Sequence, residues 1–196
     1  MRTITKRIYG LEELSPNSRA RAIEDFRADP DSNLMDWNWH EDTIDDTRRV
    51  ASMLGIEIDH VYFSGFGSQG DGACFTGTYD HHESSSVKAI KKYAPQDKEL
   101  HNIARSLDEN ITCRSAEITR WGRYYNAYST HVEPLPPFET GDGSVEELAN
   151  TLRQFMDWIY KRLEAEYDYL QSDEAVIDVI KANGYEFYEG GELFQI

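Results

Sequence analysis

The sequence predicts an α+β protein, an antiparallel sheet of about five strands with helices packed mainly on one face. Two observations carry that reading. Strand-like runs follow one another in pairs across glycine-bearing turns, which is the pattern of hairpins. From Ser144 onward apolar residues recur at threes and fours (Val145, Leu148, Leu152, Phe155, Met156, Ile159, Leu163, Tyr167, Leu170), which makes a long C-terminal helix able to cover a sheet.

Taken in order, β-branched and aromatic residues at 3–9 predict a first strand. Ser15-Pro16 then supplies a cap and a first-turn proline for a helix over 16–28, with Ala20, Ile23 and Phe26 one turn apart, ending before Asp29-Pro30. Ile44, Thr47, Val50, Ala51 and Leu54 align one apolar face of a helix over 41–54, and Gly55 stops it. Strands over 56–63 and 73–79 flank a glycine-rich stretch. Short helices over 85–93 and 96–107 are parted by Ala94-Pro95. A second hairpin is expected from 111–120 and 124–132 around Trp121-Gly122-Arg123. Ser144 with Glu147 forms a capping box for the long helix. A shorter helix over 173–182 ends at Asn183-Gly184, and 185–194 closes the chain as a small hairpin. With no repeat, low-complexity tract or linker, residues 1–196 are expected to form a single α+β domain.

The charge bounds the function. Thirty-six acidic against 20 basic residues give a formal net charge of −16, a field that repels phosphate backbones and acidic membranes. Direct nucleic-acid binding is therefore not expected. No apolar run approaches the ~20 residues of a membrane span, and residues 1–10 lack a signal-peptide core, so the reading is cytoplasmic. Two cysteines, Cys74 and Cys113, do not make a secreted disulfide framework.

Three clusters stand out as candidate sites. The first is 61–77, VYFSGFGSQGDGACFTG, where Gly65, Gly67 and Gly70 meet the GxGxxG spacing. A dinucleotide fingerprint needs a helix after it, and here a strand follows. Ser64, Ser68, Gln69 and Asp71 could still bind a ligand beside Cys74, or the glycines could serve a bulged turn that Gln69 and Asp71 tie down. Cys74 could act as a nucleophile with His60, His81 or His82, or sit as core in a strand. The second cluster is Glu41, Asp42, Asp45 and Asp46, whose carboxylates suit a helix N-terminus and also a partner with a basic surface. The third is an island of Arg114, Arg120, Trp121, Arg123, Tyr124, Tyr125 and Tyr128, a composition found at binding hot spots. Asp80, His81, His82 and Glu83 have no metal-motif context, and no metal or cofactor is expected.

Leu11-Glu12-Glu13-Leu14-Ser15 before an alanine-bearing charged helix, then Leu54-Gly55-Ile56 and SGFGSQGDGACFTG, resemble small uncharacterised proteins of tailed-phage and prophage genomes. Some of these carry the label of antitoxin of a toxin–antitoxin stability system. The resemblance covers most of residues 1–130 and implies a phage-encoded accessory protein in a bacterial cytoplasm, with no catalytic residues to carry over. Together these readings point to a non-enzymatic protein that binds and inhibits a host protein with a basic surface, in an anti-defence role such as an anti-CRISPR or a DNA mimic. The alternatives are a small-ligand or nucleotide binder, or an enzyme, using the glycine-rich loop, and an antitoxin neutralising a toxin.

Overall fold

The computed structural model describes residues 5–32, 34, 38–81, 85–109, 113–136 and 143–194. In chain order the elements are β1 (Tyr9–Gly10), α1 (Pro16–Ala28), α2 (Glu41–Met53), β2 (Ile56–Phe63), β3 (Ala73–Asp80), α3 (Ser86–Tyr93), α4 (Lys98–Glu109), β4 (Ser115–Arg120), β5 (Thr130–Pro134), α5 (Gly143–Leu170), α6 (Asp173–Asn183) and β6 (Glu186–Phe187). The fold is α+β. The chain sorts into two compact units, residues 1–39 with 165–196, and residues 40–164.

In the first unit Ser15 caps α1, its hydroxyl accepting from the Ser18 amide at 3.2 Å, and Pro16 takes the first helical position. Ala22, Ile23 and Phe26 of α1 join Val176 and Ile180 of α6, Leu11, Leu14 and Phe187 in one apolar cluster. Ion pairs rim it: Glu12 meets Arg19 at 2.8 Å and Lys181 at 2.7 Å, and Arg27 bonds Glu24, Asp173 and the Gln171 carbonyl. The strand expected over 3–9 is confined to Tyr9–Gly10, which pairs with β6; residues 1–4 lie outside the described residues. The terminal hairpin exists as a bridge from Phe187 to Leu193 across a turn in which the Tyr188 amide donates to the Glu192 carbonyl at 2.8 Å.

In the second unit β2, β3, β4 and β5 form an antiparallel sheet in that order, so β2 and β5 are its edges. Alternation along the strands gives one buried face, with Ile56, Val61, Phe75, Tyr79, Ala116, Ile118 and Val132. Glu57, Thr78, Glu117 and Glu133 make a polar row across the other. The long helix covers the buried face: Phe75 meets Phe155 of α5 edge to face at 6.0 Å, and Phe155 stacks on Trp158 at 5.6 Å. Asp97 fixes α4 beside α5, one carboxylate oxygen accepting from the Leu100 amide at 2.9 Å and the other from the Trp158 indole at 2.8 Å. A bulge between Ile58 and His60 bends β2 toward Gly77, whose φ of +153° brings it so close that a Cβ there would lie 1.9 Å from the Glu57 carbonyl oxygen.

Two expectations change in this unit. The second hairpin has a wider mouth than Trp121-Gly122-Arg123 suggests, since β5 begins at Thr130 rather than near Tyr124. The reason is local: the Arg120 guanidinium donates to the carbonyls of Gly122 at 3.0 Å and Tyr124 at 3.4 Å, which curls the chain, and Asn126 caps a 3-10 turn at Ala127–Ser129. The long helix starts at Gly143, one residue early; the Ser144 side chain of the expected capping box lies outside what is described.

Candidate functional site

The two loops that stand out in the sequence as separate candidates lie against each other. The β2–β3 connection over 64–72 and the β4–β5 connection over 121–129 leave the same end of the sheet. Asn126 donates its side-chain amide to the Gly70 carbonyl at 3.1 Å, and a Cβ on Gly72 would lie 2.7 Å from the Asn126 Cβ. Tyr124 packs over Gly70, whose φ is +95°. From the helical side Tyr160 of α5 donates to the Gly65 carbonyl at 3.0 Å, and its ring lies 5.3 Å from that of Phe66.

Inside the glycine-rich loop the polar groups bond to the loop itself. The Ser64 amide donates to the Gly72 carbonyl at 3.1 Å, and the Gly72 amide donates to the Ser64 hydroxyl at 3.2 Å. The Asp71 carboxylate accepts from the Ser68 amide at 2.7 Å, while the Asp71 amide donates to the Ser68 carbonyl at 3.1 Å. Gln69 and Ser68 are exposed at the tip. The amides of Ser64, Ser68, Asp71 and Gly72 are thereby taken up inside the loop and are not offered to an anion.

Cys74, one residue into β3, is fully buried, and its thiol is pushed up to about 11 by that burial, with the nearby Arg120 charge acting in the opposite direction. A thiol in that state stays protonated near neutrality and is a poor nucleophile. Cys113 is also buried.

The β4–β5 loop has the opposite character. Trp121 is 65% exposed, Tyr124 51% and Tyr128 76%. Beneath them Arg120 lies over two rings at once, 4.8 Å from the centre of Tyr62 and 4.9 Å from that of Tyr125, which stack on one another at 5.8 Å. His60 extends the stack, 4.4 Å from Tyr62. Arg123 lies on Tyr124 at 5.0 Å and donates to its hydroxyl at 2.9 Å, and Arg153 of α5 lies 5.7 Å from the centre of Tyr128. Arg120 and Tyr125 are thus the frame, and Trp121 and Arg123 are presented outward. Arg114 is not part of the group, since it precedes β4 whereas Arg120 ends it.

The acidic candidates occupy a third place. Glu41 and Asp45 of α2 line a cleft of about 470 Å³ with His40, Ile44, Arg48, His60, Val61 and Phe63. Asp45 pairs with Arg48 at 3.2 Å, Asp46 accepts from the Tyr93 hydroxyl, and Asp42 is exposed. Among the described residues no three His, Cys, Asp or Glu side chains gather as a metal site, and no helix is long and apolar enough to cross a membrane. His82 and Glu83 lie outside the described residues.

The residues that sequence reasoning missed are Tyr62, Asn126, Arg153 and Tyr160. Tyr62 and Tyr160 sit in strand and helix patterns that read as packing, and nothing local links Asn126 or Arg153 to the loops they hold. A family model described as a domain of unknown function, DUF8835, matches residues 39–173, a span that takes in the whole of the second compact unit and both loops. No curated protein and no solved structure matches the chain.

Proposed function

The chain belongs to the DUF8835 family, a domain of unknown function. We propose that it is a phage-encoded, non-enzymatic accessory protein that binds and inhibits a host protein, using the 121–128 loop as its contact. The observation that carries this reading is the concentration of exposed rings in that loop, Trp121, Tyr124 and Tyr128, against a surface otherwise rich in carboxylates. Large rings held outward lose apolar burial unless something covers them, and tryptophan, tyrosine and arginine are the residue types that dominate binding energy at interfaces. The frame beneath them holds the loop in one shape before binding, which lowers the entropic cost of association. The phage setting rests on the resemblance carried by 11–15 with the helix that follows, 54–56 and 64–77, and an anti-defence role rests on that setting together with the acidic charge.

The charge of −16 adds a long-range preference for a partner with a basic surface, and the exposed Glu41 and Asp42 on α2 are where that attraction acts most directly. The glycine-rich loop supports binding indirectly, as the buttress of the ring-bearing loop. The test is affinity capture from host lysate at graded salt, comparing the parent with a Trp121→Ala/Tyr128→Ala double variant. A partner captured by the parent and lost by the double variant is the expected result. Capture that is unchanged by the double variant, or absent at physiological ionic strength, overturns the reading.

A further inference from the structure

Resting on that binding reading, we infer that the segment received by the 121–128 loop carries carboxylates: an acidic stretch of the partner protein, with aspartate or glutamate spaced among apolar side chains. Arg19, Arg21, Arg27, Arg48, Lys161 and Lys181 all meet carboxylates. Arg120, Arg123 and Arg153 do not form an ion pair among the described residues, and neither do other cations such as Lys88, Lys98 and Arg105, but these three gather at one loop. All three lie on tyrosine rings instead.

A guanidinium stacked on a ring keeps its in-plane N–H groups available, and those groups match a carboxylate in a forked geometry. Arg120 uses its own to hold the carbonyls of Gly122 and Tyr124, so it shapes the loop. Arg123 donates one N–H to the Tyr124 hydroxyl and is otherwise exposed beside Trp121. Arg153 donates to Asn150 at 2.7 Å, and its Nε is buried without a hydrogen-bond partner among the described residues. The loop therefore combines flat apolar surface with positive charge that meets no carboxylate in an ion pair among the described residues.

The overall negative charge does not oppose this. It acts over roughly a Debye length of 8 Å in physiological salt, whereas contact pairs covered by rings are desolvated and scarcely screened. The long-range field governs encounter with the partner, and the local guanidinium groups select which segment of it docks. Rings with arginines also suit single-stranded nucleic acid, by stacking bases and holding phosphates. A strand presents one phosphate per nucleotide along its length, and the surrounding carboxylates would face that whole backbone, whereas a peptide places its few charges only at the loop. The protein segment is accordingly favoured.

The experiment is selection of a displayed random-peptide library on the full chain, run in parallel on Trp121→Ala, Tyr128→Ala and Arg123→Gln, with a labelled oligo-dT strand as the nucleic-acid probe. Trp121 and Tyr128 are solvent-facing, so the variants are expected to melt like the parent, which melting curves check. Peptides enriched in Asp and Glu are expected, with binding weakened about thirtyfold by Trp121→Ala, the loss of a hot-spot ring. About tenfold weakening is expected for Arg123→Gln, the loss of a charge-assisted contact. Ring-dependent peptides without acidic enrichment overturn this inference and leave the binding reading standing. Ring-dependent capture of oligo-dT in their place overturns it in favour of nucleic acid. Absence of any ring-dependent ligand overturns both.

Discussion

The side chain of Asn126 spans two loops, donating its amide to the Gly70 carbonyl at 3.1 Å while its oxygen accepts from the Tyr128 amide at 3.1 Å and the Ser129 hydroxyl at 3.3 Å. One half-buried residue thereby joins the glycine-rich turn to the ring-bearing loop. Each bond replaces one that water would otherwise make, so its net worth is modest, but the three act on one geometry. Asn126→Ala is expected to lower stability by about 1–2 kcal/mol, through the lost cap and the cross-loop bond. Asn126→Asp keeps the acceptor role and loses the donor to Gly70, so it should recover part of the stability while leaving the loops uncoupled. Urea melts read the first effect. Backbone amide exchange over 64–72 reads the second, and unchanged exchange in both variants would show that Asn126 does not couple the loops.

Gly72 is the steric counterpart of that bond. A Cβ there would sit 2.7 Å from the Asn126 Cβ and 2.9 Å from its Cα, and the latter is backbone that cannot swing aside. Gly72→Val is expected to cost about 2–3 kcal/mol by forcing the loops apart, in the range of overpacking at a tight contact. The glycine-rich stretch is on this account a spacing device. A Gly72→Val protein that melts like the parent yet no longer binds its partner would restore the stretch as a contact in its own right.

Much of the fold is legible in the sequence for physical reasons. Helix starts at Ser15-Pro16 and Ser172, and stops at Gly55 and Gly184, are set by local capping chemistry that the sequence states directly. Strand alternation likewise places Phe75 and Ile118 inward whatever covers them. The start of β5 is not legible, because it depends on Arg120 reaching the carbonyls of Gly122 and Tyr124 rather than on propensity. The candidate site was half legible. Its ring and arginine composition shows in the sequence over 120–128, but the closeness of Gly72 to Asn126, and of Arg153 to Tyr128, is long-range geometry with no local trace. Cys74 stands beside the glycines in the sequence, and its full burial, on the sheet face opposite Phe75, has no local trace either.

Asp108 should govern part of the acid sensitivity of the second unit. It sits at the end of α4 and accepts from the Ser85 hydroxyl at 2.8 Å and from the amides of Ser86 at 3.0 Å and Val87 at 3.1 Å, which closes the start of α3. Partial burial works to raise its carboxyl, but these hydrogen bonds prevail and hold it below the usual aspartate value. A carboxyl depressed in the folded state contributes stability that is fully present above the unfolded value near pH 4 and is lost as pH falls through the folded one. Asp108→Asn is therefore expected to be about 1–2 kcal/mol less stable than the parent at neutral pH. The gap should narrow as pH drops below about 4. Chemical denaturation from pH 7 down to pH 2.5 measures it, and a gap that stays constant would mean that the charge of Asp108 contributes nothing.

Cys74 offers a probe of whether the loops stay closed. It lies in β3 opposite Tyr62, the ring over which Arg120 is stacked, and it is wholly shielded from solvent. With its thiol pushed up to about 11 by burial, only roughly one molecule in a thousand carries the reactive thiolate at pH 8, and that thiolate has no open path to reagent. A disulfide reagent such as Ellman's should accordingly react with the folded parent far more slowly than with the protein in denaturant, with Cys113 equally protected by burial. Asn126→Ala and Arg120→Ala, which loosen the frame, should speed labelling of Cys74 well before global unfolding, because local opening needs less free energy than unfolding the sheet. Mass spectrometry after tryptic digestion assigns the modified cysteine. Prompt, selective modification of Cys74 in the folded parent would show an accessible, activated thiol, and would move the second unit from a binding frame back toward an enzyme built on its glycine-rich loop.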